Sequence, residues 1–320
     1  MQDKLIKRAK ELLADGKVQK VVGWKKGLFE DDITPAVFTS AEELDKDFVF
    51  NKHCKANLSK YLVKITREIE IKKSTARMNN TMAKQRDPNA QDAPIPQEVV
   101  LVFLKPSDTY SFTQLLKENR ITRSDVYAIG VPCQDSLDGG ESCENCKNKK
   151  PVSCDELLGV DAELQPVESK RMAEVEKLES MTADERNAFW RNEFSRCLRC
   201  NACRDICPAC TCEKCVFDNN KLYTSQKVAE TSFEESLFHI IRAWHVAGRC
   251  TDCGECSRVC PQHIPLYLLN RKFIKDINEI YGEYQAGSDM ETKPAMLTFN
   301  PDSDPETTIV WDRSKDKEAE

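Results

Sequence analysis

A repeated pattern of four cysteines and a proline constrains this chain more than any other feature of its sequence. The two copies are Cys197, Cys200, Cys203, Cys207 and Pro208, and Cys250, Cys253, Cys256, Cys260 and Pro261. Both have the spacing C-x2-C-x2-C-x3-C-P, which is typical of proteins that hold two [4Fe–4S] clusters. Structural zinc, the alternative, is usually bound by two C-x2-C pairs. The repeat therefore predicts two [4Fe–4S] clusters.

The spacing also predicts how the two clusters share these eight cysteines. Three closely spaced cysteines wrap one cluster, and the fourth cysteine of each copy ligates the other cluster in two-cluster proteins. The first cluster site is then Cys197, Cys200, Cys203 and Cys260, and the second cluster site is Cys250, Cys253, Cys256 and Cys207.

Composition indicates the compartment of the protein and the role of its cysteines. The chain has 320 residues and 16 cysteines, but it has neither the N-terminal apolar segment of a secretory signal nor the run of about 20 apolar residues that a transmembrane helix needs. We therefore expect a cytoplasmic protein without a transmembrane segment, whose cysteines are ligands rather than disulfides. The net charge of −6 lies mostly in residues 286–320, and the remainder lacks the basic excess of a nucleic-acid-binding protein.

Residues 1–165 are predicted to form an α/β domain. The apolar run Val99–Leu104 has the pattern of a strand buried on both faces, and Asp125–Val131 has the pattern of a second strand. Ser111 and Gln114 form a capping box, which predicts that a helix begins at Ser111. This order of elements predicts a parallel βαβ unit.

The segment before that unit is predicted to contain a helix and a linker. A helix is expected over Asn57–Ile71, and the polar, proline-containing residues 72–97 are expected to form a loop or linker.

Four cysteines outside the repeat suggest a third site. Cys133 directly follows the second strand of the βαβ unit, at the end of a parallel strand where ligands bind. Cys143 and Cys146 form a C-x2-C pair in a polar loop. We hypothesise a third cluster held by Cys54, Cys133, Cys143 and Cys146, with Cys154 in reserve and zinc as the competing occupant.

The last cysteines form a short run just after the first copy of the repeat. Cys210, Cys212 and Cys215 either help to bind a fourth cluster, for which Cys154 is a further candidate ligand, or shield the neighbouring clusters. The sequence leaves both alternatives open.

The C-terminal half is predicted to be helical. Residues 166–190 are expected to connect the domains, residues 191–285 to form an α-helical ferredoxin domain with two [4Fe–4S] clusters, and residues 286–320 to form an extended acidic tail. Between the two copies of the repeat, one helix is expected to carry an apolar face. Its members are Phe233, Leu237, Ile240, Ile241 and Trp244. The expected fold class is therefore α+β.

Helices around both copies of the repeat resemble the α-helical ferredoxin domains of succinate dehydrogenase and heterodisulfide reductase iron–sulfur subunits. Ahead of the repeat, Asn51–Leu62, Ile129–Cys133 and the pair Cys143 and Cys146 follow one another. This ordered combination resembles iron–sulfur relatives of the coenzyme F420 (deazaflavin) hydrogenase/dehydrogenase beta subunit family, over roughly residues 1–300.

Two features depart from that family. Ser107 stands where relatives often carry a cysteine, so one of the family's ligands is missing here. The chain also lacks a G-x-G-x-x-G fingerprint, which argues against a Rossmann-type dinucleotide site, although flavins also bind without it.

The resemblance implies an iron–sulfur electron-transfer subunit of a hydrogenase, formate dehydrogenase or heterodisulfide reductase-like complex, with the other subunits of that complex as partners. No catalytic residue is predicted. One alternative is a flavin-containing oxidoreductase subunit acting on a deazaflavin, a nicotinamide or a thiol, which stoichiometric flavin in the purified chain would reveal. The other is a scaffold or redox sensor with labile clusters.

Overall fold

A five-stranded sheet organises the N-terminal half of the chain. The computed structural model describes residues 1–29, 32–133, 150–159, 170–218 and 232–294. Within them the strands are ordered β2-β1-β3-β4-β5 across the sheet. Their bounds are β1 Lys20–Lys26, β2 Ile33–Phe38, β3 Val100–Leu104, β4 Val126–Gly130 and β5 Glu156–Leu157.

The centre of this sheet is parallel. β3 pairs in parallel with both β1 and β4, and β5 continues the parallel order, whereas β2 pairs with β1 as an antiparallel edge. Every residue of β3 is buried, as its unbroken apolar sequence requires in a strand covered on both faces. The predicted βαβ unit is confirmed by the parallel pairing of β3 with β4 around an intervening helix.

Four helices lie in the described residues of this half: α1 Gln2–Ala14, α2 Ala41–Asp47, α3 Ser59–Arg86 and α4 Pro106–Lys117. The prediction of a linker from residue 72 was wrong, because α3 continues to Arg86. Polar side chains on this exposed last part of the helix look like a linker in sequence, but most of them are good helix formers. The start of α4 was also misplaced, since Pro106 occupies its first turn, where the missing N–H costs nothing.

Six helices follow in the described C-terminal part. They are α5 Ala173–Glu179, α6 Ala183–Phe194, α7 Ala202–Asp205, α8 Ser232–His245, α9 Glu255–Arg258 and α10 Leu266–Tyr281. The α+β fold class predicted from the sequence is thus confirmed. None of the described helices combines the length and the apolar character that crossing a membrane requires.

Buried polar contacts join the two halves. The backbone N–H of Asn57 donates to Glu255 Oε2 over 3.2 Å, and its side-chain Nδ2 donates to Ser111 Oγ over 2.9 Å. The Ser111 hydroxyl in turn lies 2.8 Å from the Thr251 hydroxyl. Because Thr251 and Glu255 belong to the second copy of the cysteine repeat, the sheet domain is fastened directly to that loop.

The first residues of the predicted acidic tail pack against the sheet domain. Ala286 is buried, and a methyl group added to Gly287 would come within 1.9 Å of the Tyr110 carbonyl oxygen. Lys117 also donates a hydrogen bond to the Thr292 carbonyl. The ordered chain therefore continues beyond the predicted boundary at residue 286, while residues 295–320 lie outside the described part.

Candidate metal centres

The two cysteine loops have the same backbone conformation. Arg199 and Asn201 have φ of +51° and +63°, and the equivalent residues Asp252 and Gly254 have φ of +53° and +72°. Left-handed conformations are costly for residues other than glycine and persist where the surrounding structure requires them. A short helix, α7 or α9, follows each loop at the same position. The sequence repeat is therefore a structural repeat.

The fourth cysteine of the second copy lies beside the first loop. Negative charge on Cys200 and on Cys260 raises the pKa of the Cys203 thiol, and negative charge on Cys203 raises the pKa of Cys197. This is the neighbourhood that the predicted first cluster site requires.

The fourth cysteine of the first copy lies beside the second loop. A charge on Cys207 raises the pKa of each of the other three members of the second cluster site, which are Cys250, Cys253 and Cys256. Cys203 and Cys207 also interact, so the two cysteine sets are adjacent. The arrangement agrees with crossed ligation, and the ligand assignment itself stays a prediction.

Burial makes five of these eight thiols poor acids unless a metal takes the place of the proton. Desolvation is the main cause that raises the pKa of Cys197 and of Cys250 to about 12, and that of Cys256 to about 11. Iron ligation requires the thiolate. The donor set fits two iron–sulfur clusters, because such buried thiolates are stable only against a strong positive charge.

A buried arginine lies among both cysteine sets. Arg242 on α8 is 4% exposed, donates from Nη2 to the Cys203 carbonyl over 2.6 Å, and has a buried Nε without a hydrogen-bond partner in the described part of the chain. The thiols of Cys203, Cys256 and Cys207 are the anionic groups that act on it most. A buried cation needs an anionic counterpart, and a thiolate-ligated cluster, which carries net negative charge, supplies it here.

Three further polar side chains line the first cluster site. Glu235 Oε2 accepts from Arg199 Nε over 3.2 Å, and Glu235 Oε1 lies 3.4 Å from His239 Nε2. Cys197, Glu235 and His239 bring their ligand atoms within 4.8 Å of one another. His239 also stacks on Phe194 with 4.5 Å between ring centroids, so it packs against an aromatic ring besides facing a carboxylate.

The orientation of α8 is the main feature that sequence reasoning missed. An apolar face normally turns towards the core, yet Phe233 is 71% and Trp244 is 64% exposed, and Leu237 and Ile240 are exposed as well. The inward face carries Glu235, His239, Arg242 and Phe238 instead. The spacing of three or four residues between these polar side chains was the signal that could have revealed it.

The N-terminal site, which we define as Cys54, Cys133, Cys143 and Cys146, is described only in part. Lys105, directly after β3, donates from Nζ to the carbonyls of Cys54 and Lys55 over 3.0 and 2.6 Å. Cys133 follows β4, the neighbouring strand, so both cysteines lie near the carboxyl ends of parallel strands. Desolvation raises the pKa of the buried Cys54 thiol to about 11. Cys143 and Cys146 lie outside the described residues.

Cys154 lies at the same edge of the sheet. Its sulfur is 3.2 Å from the point where a side chain on Gly130, the last residue of β4, would begin. Ser107, the departure from the family pattern, bonds to the Asp108 carboxylate within the first turn of α4. The position of Cys154 beside the end of β4 agrees with the hypothesis that it is the reserve ligand of the third site.

Comparison with known proteins supports the interpretation of the repeat. Residues 193–264 match the model of a family described as a 4Fe-4S dicluster domain. This span contains all eight cysteines of the two predicted cluster sites, so the prediction of two [4Fe–4S] clusters is confirmed at the level of the domain.

Two relatives are named as beta subunits of a formate dehydrogenase. Over 106 residues the chain is 33% identical to the F420-dependent formate dehydrogenase subunit beta of Methanocaldococcus jannaschii. The aligned residues make up 33% of this chain and 27% of that protein. Over 107 residues it is 24% identical to the F420-dependent formate dehydrogenase 1 subunit beta of Methanococcus maripaludis, 33% and 26% of the two chains. The chain thus spans about a quarter of the length of these relatives.

These matches agree with the resemblance seen in the sequence. The chain is an iron–sulfur protein with a 4Fe-4S dicluster domain, related in sequence to the beta subunits of F420-dependent formate dehydrogenases.

Proposed function

We propose that this chain is an iron–sulfur electron-transfer subunit of a formate dehydrogenase-like redox complex. The observation that carries the proposal is the interleaving of the two cysteine sets, in which Cys207 lies beside the second loop and Cys260 beside the first. Bound clusters supply one-electron chemistry, and adjacent cysteine sets place two such carriers next to each other.

The residues of this chain then hold the carriers and set their potentials. The αL residues shape the loops, Arg242 offsets negative charge between the sites, and Glu235 places a carboxylate beside the first site. Charge, hydrogen bonds and burial are the means by which a protein sets cluster potentials. No residue of the described part is needed for substrate chemistry in this proposal.

The N-terminal site extends the relay towards the sheet domain. We propose a third [4Fe–4S] cluster on Cys54, Cys133, Cys143 and Cys146, and two observations support it. The Cys54 carbonyl accepts a hydrogen bond from Lys105, which directly follows β3, and Cys133 follows the neighbouring strand β4. The chain from Cys54 leads within three residues to Asn57, whose N–H donates to Glu255 of the second loop. A third carrier there would lie on the route between a partner and the second cluster site.

The partners we propose are the other subunits of such a complex, of the formate dehydrogenase, hydrogenase or heterodisulfide reductase type. The names of the relatives support the first of these. We propose a cytoplasmic location, as the sequence predicts.

Redox titration of the anaerobically purified chain tests the proposal. We expect the two [4Fe–4S] clusters of the dicluster domain to be reduced by one electron each and to give electron paramagnetic resonance signals that interact magnetically. Acid release of the chromophores separates this function from the alternative. Stoichiometric flavin would favour the oxidoreductase subunit, and a chain whose clusters do not cycle reversibly would contradict electron transfer.

A further inference from the structure

The loop after the first cysteine copy forms one wall of a cavity that no assigned cluster uses. Cys210, Cys212 and Cys215 line this loop cavity, which has a volume of about 280 Å³. Arg242 and His245 of α8 and Lys60 of α3 line it from other sides. At roughly 30 Å³ per molecule it equals the space of about nine waters, so it admits a group much larger than a single ion.

Two of the four cations on the cavity wall make no ion pair with a carboxylate in the described part of the chain. Lys60 donates to the Cys210 carbonyl, and Arg242 donates to the Cys203 carbonyl. Neither side chain makes an ion pair with an aspartate or glutamate in the part of the chain that the structure describes. The groups that act favourably on Lys60 are the thiols of Cys207, Cys210 and Cys212 and the Asp205 carboxylate, which also lines the cavity. The occupant that this wall would stabilise is therefore an anion associated with thiolates.

One buried donor of the cavity wall and one of the cysteine loop are unused. The Nε atom of Arg242, a residue that is only 4% exposed, has no hydrogen-bond partner among the described residues. The buried hydroxyl of Thr211, between two of the cysteines, likewise has none. Buried polar groups are normally satisfied, so both donors point to a missing acceptor.

The spread of the cysteines favours a cluster over a single metal ion. With zinc–sulfur bonds of about 2.3 Å, tetrahedral geometry places ligand sulfurs roughly 3.8 Å apart. Among the described residues, only Cys197, Glu235 and His239 bring three ligand atoms within 4.8 Å of one another. The three cavity cysteines therefore do not all bring their sulfur atoms within 4.8 Å of one another, a wider spacing than a zinc site has, and one that leaves room for a cubane of four irons.

We propose that Cys210, Cys212 and Cys215 hold an additional iron–sulfur cluster in the loop cavity. The other side chains of ligand type on its wall are His245, Asp205, Glu213 and Asp218. The proposal goes beyond the proposed function, since the relay of the dicluster domain is complete without it. Cys210 hydrogen-bonds to Cys207, so this cluster would lie next to the second cluster site.

Thiol labelling of the unaltered chain tests the proposal without a variant. Cys212 is exposed, and a free exposed thiol reacts readily with iodoacetamide. We expect Cys212 and Cys215 to be protected in the anaerobic iron-loaded protein and to become labelled after the iron is removed with a chelator. Labelling of Cys212 in the loaded protein would overturn the proposal. Protection accompanied by stoichiometric zinc would also overturn it.

Substitution of the same residues gives the stoichiometry. Cys212→Ser and Cys215→Ser should each lose about four irons per chain and keep the paired resonance signals of the dicluster domain. Thr211→Ser and Glu213→Gln are matched controls in the same loop and should keep all the iron. Cys variants with unchanged iron content would contradict the extra cluster while leaving the proposed function intact, whereas loss of the paired signals in the unaltered protein would contradict the proposed function.

Discussion

At the scale of single residues, the positive charge of Arg242 is the clearest electrostatic feature of the site. It is buried, its nearest anionic groups are cysteines of both cluster sites, and no carboxylate in the described part of the chain neutralises it. A reduced cluster carries one more negative charge than an oxidised one. Arg242 therefore stabilises the reduced state and raises the reduction potential.

Removal of this charge should lower the potentials. A unit charge about 8 to 10 Å away contributes about 2 kcal/mol at an effective dielectric constant near 20, which is about 70 to 90 mV for a one-electron couple. We expect Arg242→Met to shift at least one cluster potential downwards by about that amount in a redox titration followed by electron paramagnetic resonance.

Arg242→Lys is the matched control, because it keeps the positive charge and should shift the potential by much less. Potentials in Arg242→Met equal to those of the unaltered chain would show that its charge does not reach the clusters.

At the scale of elements, α8 shows what amphipathic periodicity can and cannot predict. The periodicity indicates a helix and defines its apolar face, and the structure contains that helix. It cannot predict the direction of the face, because the environment of α8 is a set of metal ligands rather than an apolar core. Around such ligands, charged side chains such as Arg242 and Glu235 lie inside, beside Phe238, and most of the predicted apolar face remains exposed.

Two phenylalanines on α8 test this orientation. Phe238 is 2% exposed and packs edge-on against Phe217 with 4.8 Å between centroids, and it lies under the Arg199 guanidinium at 4.1 Å. We expect Phe238→Ala to lower the free energy of unfolding by about 3 to 5 kcal/mol. The matched variant Phe233→Ala removes a side chain that is 71% exposed and should change it by less than about 0.5 kcal/mol.

Chaotrope unfolding of the iron-loaded protein would measure both variants. Equal losses, or a larger loss in Phe233→Ala, would mean that the apolar face of α8 is the buried one after all.

Other elements show where local sequence signals suffice. The capping box of Thr182 and Glu185 predicts the start of α6, and the structure contains both of its hydrogen bonds. The apolar run predicts β3, and burial on both faces bears it out. The end of α3 was not predictable in the same way, since nothing in the polar composition after Ile71 separates an exposed helix from a linker.

At the scale of the whole molecule, contacts between distant residues join the sheet domain to the dicluster domain. The chain of hydrogen bonds from Asn57 through Ser111 to Thr251 joins three segments that are far apart in sequence. No local pattern predicts such a network, because each of its members is also a common loop or cap residue. The network positions the Cys54 loop against the second cluster site.

This network should contribute measurably to stability. Ser111→Ala leaves the buried Asn57 amide and the Thr251 hydroxyl without their shared partner, and an unsatisfied buried polar group costs about 1 to 3 kcal/mol. We expect a loss of that size in chaotrope unfolding, against almost none in Ser74→Ala on the exposed side of α3. A neutral Ser111→Ala would show that the domains are held together elsewhere.

Crossed ligation between the two copies of the repeat is tested most directly by the iron content of paired substitutions. If ligation is crossed, Cys200→Ser with Cys260→Ser damages one cluster and removes about four irons. Cys253→Ser with Cys260→Ser then damages both clusters and removes about eight. The opposite pattern, about eight irons lost in the first pair and about four in the second, would contradict the account.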